Sequence, residues 1–235
     1  MQKEDARILS ETEQEFLKNY NSADYQKPSV AVDLVLFTIR DNQLQVLLTK
    51  RQAHPFAGMF ALPGVFVGMD ETLDQAAQRA LYQKTGLQDI YFEQLYTWGD
   101  LNRDPRMRII SVSYYALIPA DQIRMPKREQ SQNQDAAFFP VEQLPELAFD
   151  HAEIIRYGRE RIRNKVNYTD IAFSLVGEEF TLPQLQKIYE ILLGQELYKA
   201  NFRKKIADQI VPTDKMLSGM RHRPSRIYQK LKINP

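Results

Sequence analysis

Apolar and polar positions follow different periods along the chain, and the changes of period mark its elements. Ser10 and Glu13 stand ahead of Phe16, Leu17 and Tyr20, a capping pair followed by an apolar stripe, which predicts a helix over 6–20. Pro28 ends any helix, and SVAVDLVLFTI after it is β-branched and apolar, the pattern of a buried strand. Arg40-Asp41-Asn42-Gln43 is a turn signal, so LQVLLTK returns as the paired strand. HPFAGMFALPGVFVGMDETL then reads as a long loop rich in Gly and Pro. Thr72 and Gln75 cap a helix that Gly86 stops. IYFEQLYTW, RIISVSYYALI and AAFFPV are further strands, with the polar loop GDLNRDPRM between the first two, and a helix runs from about 150 to 164. Strands and helices are mixed over residues 1–165 without a repeat, which makes this an α/β or α+β domain, with α+β the class expected for the chain.

The pattern changes near residues 165–180. Thr181 and Gln184 cap a helix with apolar Leu182, Leu185, Ile188, Tyr189 and Leu192, and Gly194 marks the turn after it. A second helix is expected over 198–210, with Phe202, Ile206 and Ile210 inward and Arg203, Lys204 and Lys205 largely outward. IVPTDKML and SRIYQKL flank SGMRHRP as a hairpin with a basic tip. Helix, turn, basic helix and basic hairpin, over 166–235, is the order of a winged helix-turn-helix.

Charge sharpens this division. The net charge is +1, yet residues 171–235 carry eleven Lys and Arg against six Asp and Glu. Ten of those basic residues and only two of the acidic ones lie between Lys199 and Lys232. A basic tail on a slightly acidic body points to an anionic partner, although charge alone fits a solvated surface equally well. The chain has no cysteine, which excludes disulfides and thiolate metal sites and fits a reducing cytoplasm. No apolar run approaches the roughly 20 residues of a membrane span, and MQKEDARILSETEQEF lacks the apolar stretch of a signal peptide. A cytoplasmic protein without a membrane partner is the expectation.

LPGVFVGMDETLDQAAQRALYQKTGL resembles a Nudix box, which reads Gly, five residues, Glu, seven residues, then Arg-Glu-apolar-any-Glu-Glu-any-Gly-apolar. Glu71, Arg79, Leu81, Gly86 and Leu87 match in register. Val65 replaces the Gly, and Ala80, Gln83 and Lys84 replace the three glutamates of the helix. Positions 80, 83 and 84 are helical neighbours, expected on one face. In Nudix hydrolases that face is rich in carboxylates and holds the divalent cation that bridges a pyrophosphate and activates water. Hard cations need oxygen ligands. Here Ala80 offers none, Gln83 a neutral amide and Lys84 a positive charge, so no catalytic residue, metal or cofactor is expected.

Similarity extends over nearly the whole chain. EFLKNY with KPSVAVDLVLF, HPFAGMFALPGVFV, GDLNRDPRMRIISVSYYALI, LAFDHAEII, FTLPQLQKIYEILLG, NFRKKI and RHRPSRIYQ resemble the Nudix-related transcriptional regulators of NAD metabolism, the NrtR family. The resemblance implies a Nudix-like α/β/α sandwich over 1–165 and a winged helix-turn-helix over 166–235. It also implies a homodimer, double-stranded operator DNA as partner, and ADP-ribose or a related NAD-derived nucleotide as effector.

For the nucleotide, pyrophosphate needs cationic forks or main-chain N–H groups, which makes Arg51, Arg106 and Arg108 candidates. Phe60 or Phe66 would pack on a base or ribose, and Asp150 and His151, opening a helix, would bind hydroxyls. For DNA, Asn201, Arg203, Lys204 and Lys205 lie on the second helix of the motif. Arg221, His222, Arg223 and Arg226 lie on or beside the wing. Two other readings stay open: an ADP-ribose or nucleotide-sugar pyrophosphatase with an atypical metal site, and an RNA-associated Nudix-like protein.

Overall fold

A computed structural model describes residues 10–87, 90–123, 136–217 and 224–231. Helix α1 (Glu11–Asn19) starts at Ser10, whose side chain accepts from Glu13 N–H while the Glu13 carboxylate accepts from Ser10 N–H. None of its residues is buried. The helix expected over 6–20 is thus seen from residue 11, and residues 1–9 lie outside the described part.

The central sheet has seven strands, built around β1 (Ser29–Arg40). β1 pairs antiparallel with β2 (Gln43–Lys50) through a two-residue turn in which Asp41 and Asn42 hold φ of 51° and 58°. Positive φ at both central residues gives the turn the twist that matches paired strands. β3 (Phe60–Ala61) and β7 (Ala136–Pro140) pair with β2, and β4 (Gly64–Phe66) pairs with β1. On its other side β1 runs parallel to β6 (Ile109–Leu117), and β5 (Glu93–Trp98) closes that edge antiparallel to β6.

Both faces of β1 are covered, which explains the unbroken apolar run. Val32, Leu34 and Leu36 pack with Ala76, Ala77, Ala80 and Leu81 of α2 (Leu73–Thr85). Val35 and Phe37 pack with Ile154, Ile155 and Ile162 of α3 (His151–Lys165). Each large side chain buried this way stabilises by roughly 1.5–3 kcal/mol. Gly158 lets α3 sit close: a Cβ there would meet Leu95 and Phe37 carbons at 3.3 Å. α2 carries the expected caps, with Thr72 and Gln75 bonded reciprocally at its start and Gly86 left-handed at φ 70° at its end.

The second core cluster runs on without a break into the C-terminal part. Val166, Phe173, Phe180, Leu185, Tyr189, Phe202 and Ile206 join it. There β8 (Glu179–Thr181) leads into α4 (Leu182–Leu193), capped by Thr181 and Gln184 and ended by Gly194. α5 (Lys199–Ile206) follows, then β9 (Ile210–Leu217) and β10 (Ser225–Lys230). The three strands form an antiparallel sheet in the order β8-β10-β9. α5 is shorter than expected. It gives way to a 3-10 turn over Ala207–Gln209, and Ile210, followed by Val211 and Pro212, opens a strand. A β-branched pair before Pro favours extended backbone.

Candidate functional site

A cavity of about 160 Å³ opens between the middle of β1, β4, the 99–108 loop and the start of α3. Asp33, the only carboxylate in the buried stretch of β1, forms its floor at 7% exposure. Ser111 Oγ donates to Asp33 Oδ2 at 2.5 Å. Gly64 crosses directly above: a Cβ there would lie 2.3 Å from Asp33 Oδ1 and 2.9 Å from the Val32 carbonyl, so only glycine fits.

His151 opens α3 behind this floor. Its Nδ1 accepts from Leu62 N–H at 2.8 Å, and its Nε2 lies 3.8 Å from Asp33 Oδ1. Burial pushes the imidazole pKa below its ordinary value of 6.5, outweighing the pull of Asp33 and Asp150, so the ring is neutral at pH 7. Its proton then sits on Nε2, because Nδ1 accepts. Asp150, just before it, makes no cap to α3. It instead takes both arms of Arg103, at 2.8 Å from Nε and 2.7 Å from Nη2.

The cations of the cavity are not equivalent. Arg103 is clamped by Asp150, and Arg106 by Asp104, at 3.0 Å from Nε and 2.7 Å from Nη2. Arg51 donates to the carbonyls of Pro55 and Ala53 and enters none of the ion pairs among the described residues. Its pKa is lowered, first by burial and then by the neighbouring Arg106 charge. Both Arg51 and Arg106 lie over the Phe149 ring, at 4.7 and 5.7 Å, and Arg106 also lies 5.6 Å from Phe66. Phe149 holds φ at 56°, a left-handed conformation uncommon for a bulky residue, and its ring lies near both guanidiniums. Two guanidiniums near one aromatic ring, one of them in no ion pair among the described residues, make a site for an anion attached to an apolar group.

The structure thus brings Arg51, Phe66, Arg106 and His151 to one cavity, with Asp150 behind them. Phe60 lies elsewhere, on β3, edge to face with Phe139 at 4.7 Å in the core. Arg108 points out of the cavity and donates to the Asp100 carbonyl at 2.8 Å. Asp33, Arg103, Asp104 and Phe149 were not singled out from the sequence. A carboxylate alone in an apolar strand was a visible signal for Asp33; nothing local marked Phe149.

In the box helix, Glu71 is engaged by Arg79 Nε at 3.0 Å and Nη2 at 2.6 Å and accepts from Gly68 N–H at 2.6 Å. Arg79 lowers the Glu71 pKa and ties the loop to α2 through the Phe66 carbonyl at 2.9 Å. Val65 lines the cavity from β4. Positions 80, 83 and 84 all fall within α2, where residues three and four apart are neighbours. Ala80 is fully buried against β1, whereas Gln83 is exposed, so that edge of the helix passes from core to solvent within one turn. The Lys84 side chain lies outside the described part.

In the C-terminal part, Phe202 and Ile206 anchor α5, and Asn201, Arg203 and Lys204 are exposed. Lys205 is exposed too, but its ammonium lies 5.4 Å from the Tyr189 ring, turned toward the body of the protein. Arg226 is exposed on β10. Arg221, His222 and Arg223 lie outside the described residues.

Residues 27–158 match the NUDIX domain, and residues 172–229 match the NrtR DNA-binding winged helix domain. The chain is 35% identical over 230 residues to the ADPR responsive transcriptional repressor NtrR of Acinetobacter baylyi, covering 95% of this chain and 90% of that protein. It superposes on the crystal structure of Shewanella oneidensis NrtR complexed with a 27mer DNA with a TM-score of 0.75 at 38% identity, covering 86% and 93% of the two chains. The NUDIX domain of Shewanella oneidensis NrtR complexed with ADP ribose gives a TM-score of 0.55 at 39% identity, covering 65% and 99%. The chain belongs to the NrtR family, in which a NUDIX domain is joined to an NrtR-type DNA-binding winged helix.

Proposed function

We propose that this protein is an ADP-ribose-responsive transcriptional repressor that binds operator DNA as a homodimer and has lost pyrophosphatase activity. One observation carries the ligand reading: Arg51 and Arg106 converge on Phe149 above the Asp33 floor, with Arg51 in no ion pair among the described residues. The pyrophosphate takes the outer N–H groups of these guanidiniums, while Phe149 and Phe66 receive apolar faces of the nucleotide. Asp33 and His151 Nε2–H suit hydroxyl groups. At about 160 Å³ the cavity is smaller than the roughly 300–1,000 Å³ of drug-sized sites. It therefore takes one end of the ligand, and the rest lies across Arg106 and the exposed Phe66.

The loss of hydrolysis rests on the box. With Ala80 in the core, Gln83 neutral and Lys in place of Glu at position 84, the box positions of the helix lack the carboxylates that a divalent cation needs. Asn201, Arg203 and Lys204 meet the major groove, and the segment around Arg221, His222 and Arg223 meets the backbone or minor groove. α3 supports a coupling route. It begins in the cavity with His151 and ends at Lys165, whose ammonium is held by Glu93 and Tyr115. Beyond it, Asp170 forms an ion pair with Lys230 on β10. ADP-ribose at one end of this rod tilts the winged helix at the other and spoils the spacing of the two half-sites.

A mobility shift against the protein's upstream DNA, with ADP-ribose titrated in, tests the regulator. Dissociation of the complex is expected. ADP-ribose incubated with the protein and Mg²⁺ or Mn²⁺ should persist, and turnover within about tenfold of an ordinary Nudix hydrolase contradicts the assignment of the box.

A further inference from the structure

The turn into α5 is held by two side chains of α4. Gln186 Nε2 donates to the Leu197 carbonyl at 2.8 Å and to Glu190 Oε1 at 2.9 Å. Glu190 Oε1 also accepts from Leu197 N–H at 3.1 Å. Both main-chain groups of Leu197 are therefore fixed, and Leu197 itself packs against the core cluster. The next residue, Tyr198, starts from a set position at the N-cap of α5.

Tyr198 makes no capping bond and is 84% exposed. Its carbonyl accepts from Phe202 N–H at 2.9 Å, but among the described residues its side chain has neither a ring partner nor a hydrogen bond. A large aromatic held in water by a rigid polar lock does nothing for the core of its own chain. Its neighbours are exposed Lys199, Asn201, Arg203 and Lys204, a surface suited to DNA. The first residues of a recognition helix are those that meet base edges.

We propose that Tyr198 reads a base directly, its ring against a thymine methyl in the major groove, and that Gln186 and Glu190 are the positioning residues that aim it. This rests on the reading of the winged helix as the operator-binding domain. The thymine methyl is the apolar feature of the major groove, and an uncharged ring discriminates bases without neutralising phosphate. Tyr198 thus contributes to specificity and leaves the salt dependence alone, whereas Arg203 and Lys204 act on both.

The full-length chain is used to select from a pool of randomised duplexes, and the enriched sequences are read for wild type, Tyr198→Ala, Tyr198→Phe and Gln186→Ala. Wild type and Tyr198→Phe should both keep a thymine at one position of each half-site. Tyr198→Ala should lose that preference and bind the wild-type motif about 5- to 100-fold more weakly, with non-specific affinity and salt slope unchanged. Gln186→Ala should blur the same position while the chain stays folded by circular dichroism. An unchanged motif for Tyr198→Ala overturns the inference, as does an equal loss on all sequences with a flatter salt slope, the mark of a phosphate contact. If wild type itself enriches no motif, the DNA reading fails first, and the Tyr198 assignment falls with it.

Discussion

Asp150→Ala removes the carboxylate that holds Arg103 by two hydrogen bonds, at 2.7 and 2.8 Å, where the Arg103 side chain is 5% exposed. Removing one partner of a buried ion pair costs about 3–5 kcal/mol, because the other charge is stranded away from water. Asp33 remains 3.7 Å from Arg103 Nη2 and offsets part of this, which lowers the expected loss to ~2–4 kcal/mol. Arg103→Met strands Asp150 instead. That side chain is 16% exposed and nearer water, so the loss is about 1–3 kcal/mol. The double variant leaves neither charge alone, and the cycle should give a coupling energy of roughly 2 kcal/mol. Urea unfolding read from Trp98, the only tryptophan and 6% exposed in the Nudix core, measures all four proteins. Losses that simply add in the double variant would refute the clamp. The clamp also orients the start of α3, so Asp150→Ala should weaken ADP-ribose binding more than stability alone explains.

Burial keeps His151 neutral in the folded chain, with its pKa below 6.5, while the unfolded chain protonates near that value. As pH falls below 6.5 the unfolded state takes up the proton first, so stability drops, with a limiting slope of about 1.4 kcal/mol per pH unit, until the folded imidazole titrates too. His151→Asn, which keeps an acceptor for Leu62 N–H, should lose this component, and equal slopes in both proteins between about pH 6.5 and 5 exclude the assignment. Arg203→Ala should weaken operator binding by about 1–3 kcal/mol, and Lys205→Ala by less than about 0.5 kcal/mol, since its ammonium is turned toward Tyr189. Equal losses for the two in a fluorescence anisotropy titration contradict the orientation of α5. Gly64→Ala should abolish ADP-ribose binding measured by calorimetry, because its Cβ would lie 2.3 Å from Asp33 Oδ1; retained affinity means that the Asp33 floor is not part of the site.

The sequence made the regular elements legible where local chemistry decides them. Ser10, Thr72 and Thr181 cap their helices, and Gly86 and Gly194 end theirs, each through contacts within a few residues. β3, β4 and β8 were missed, since two or three residues are too short to show a period and their pairing is long-range. The site was half legible for the same reason. Arg51, Arg106 and His151 are marked by type and loop position. Phe149 is recruited by backbone geometry, and Arg103 and Asp104 by a loop whose course depends on partners far along the chain. Phe60 looked like Phe66 in sequence, yet β3 turns it onto Phe139 in the core. The winged helix was read from order and charge, while the turn of Lys205 toward Tyr189 required the packed structure.

The central claim is that one chain couples an ADP-ribose site to an operator site. Calorimetric titration of ADP-ribose into the full-length protein, alone and saturated with operator duplex, tests it directly. Linkage requires that operator weaken ADP-ribose binding by the same factor by which ADP-ribose weakens operator binding, about 5- to 150-fold for couplings of ordinary size. The account predicts that matched pair of factors; equal ADP-ribose affinity with and without operator contradicts it.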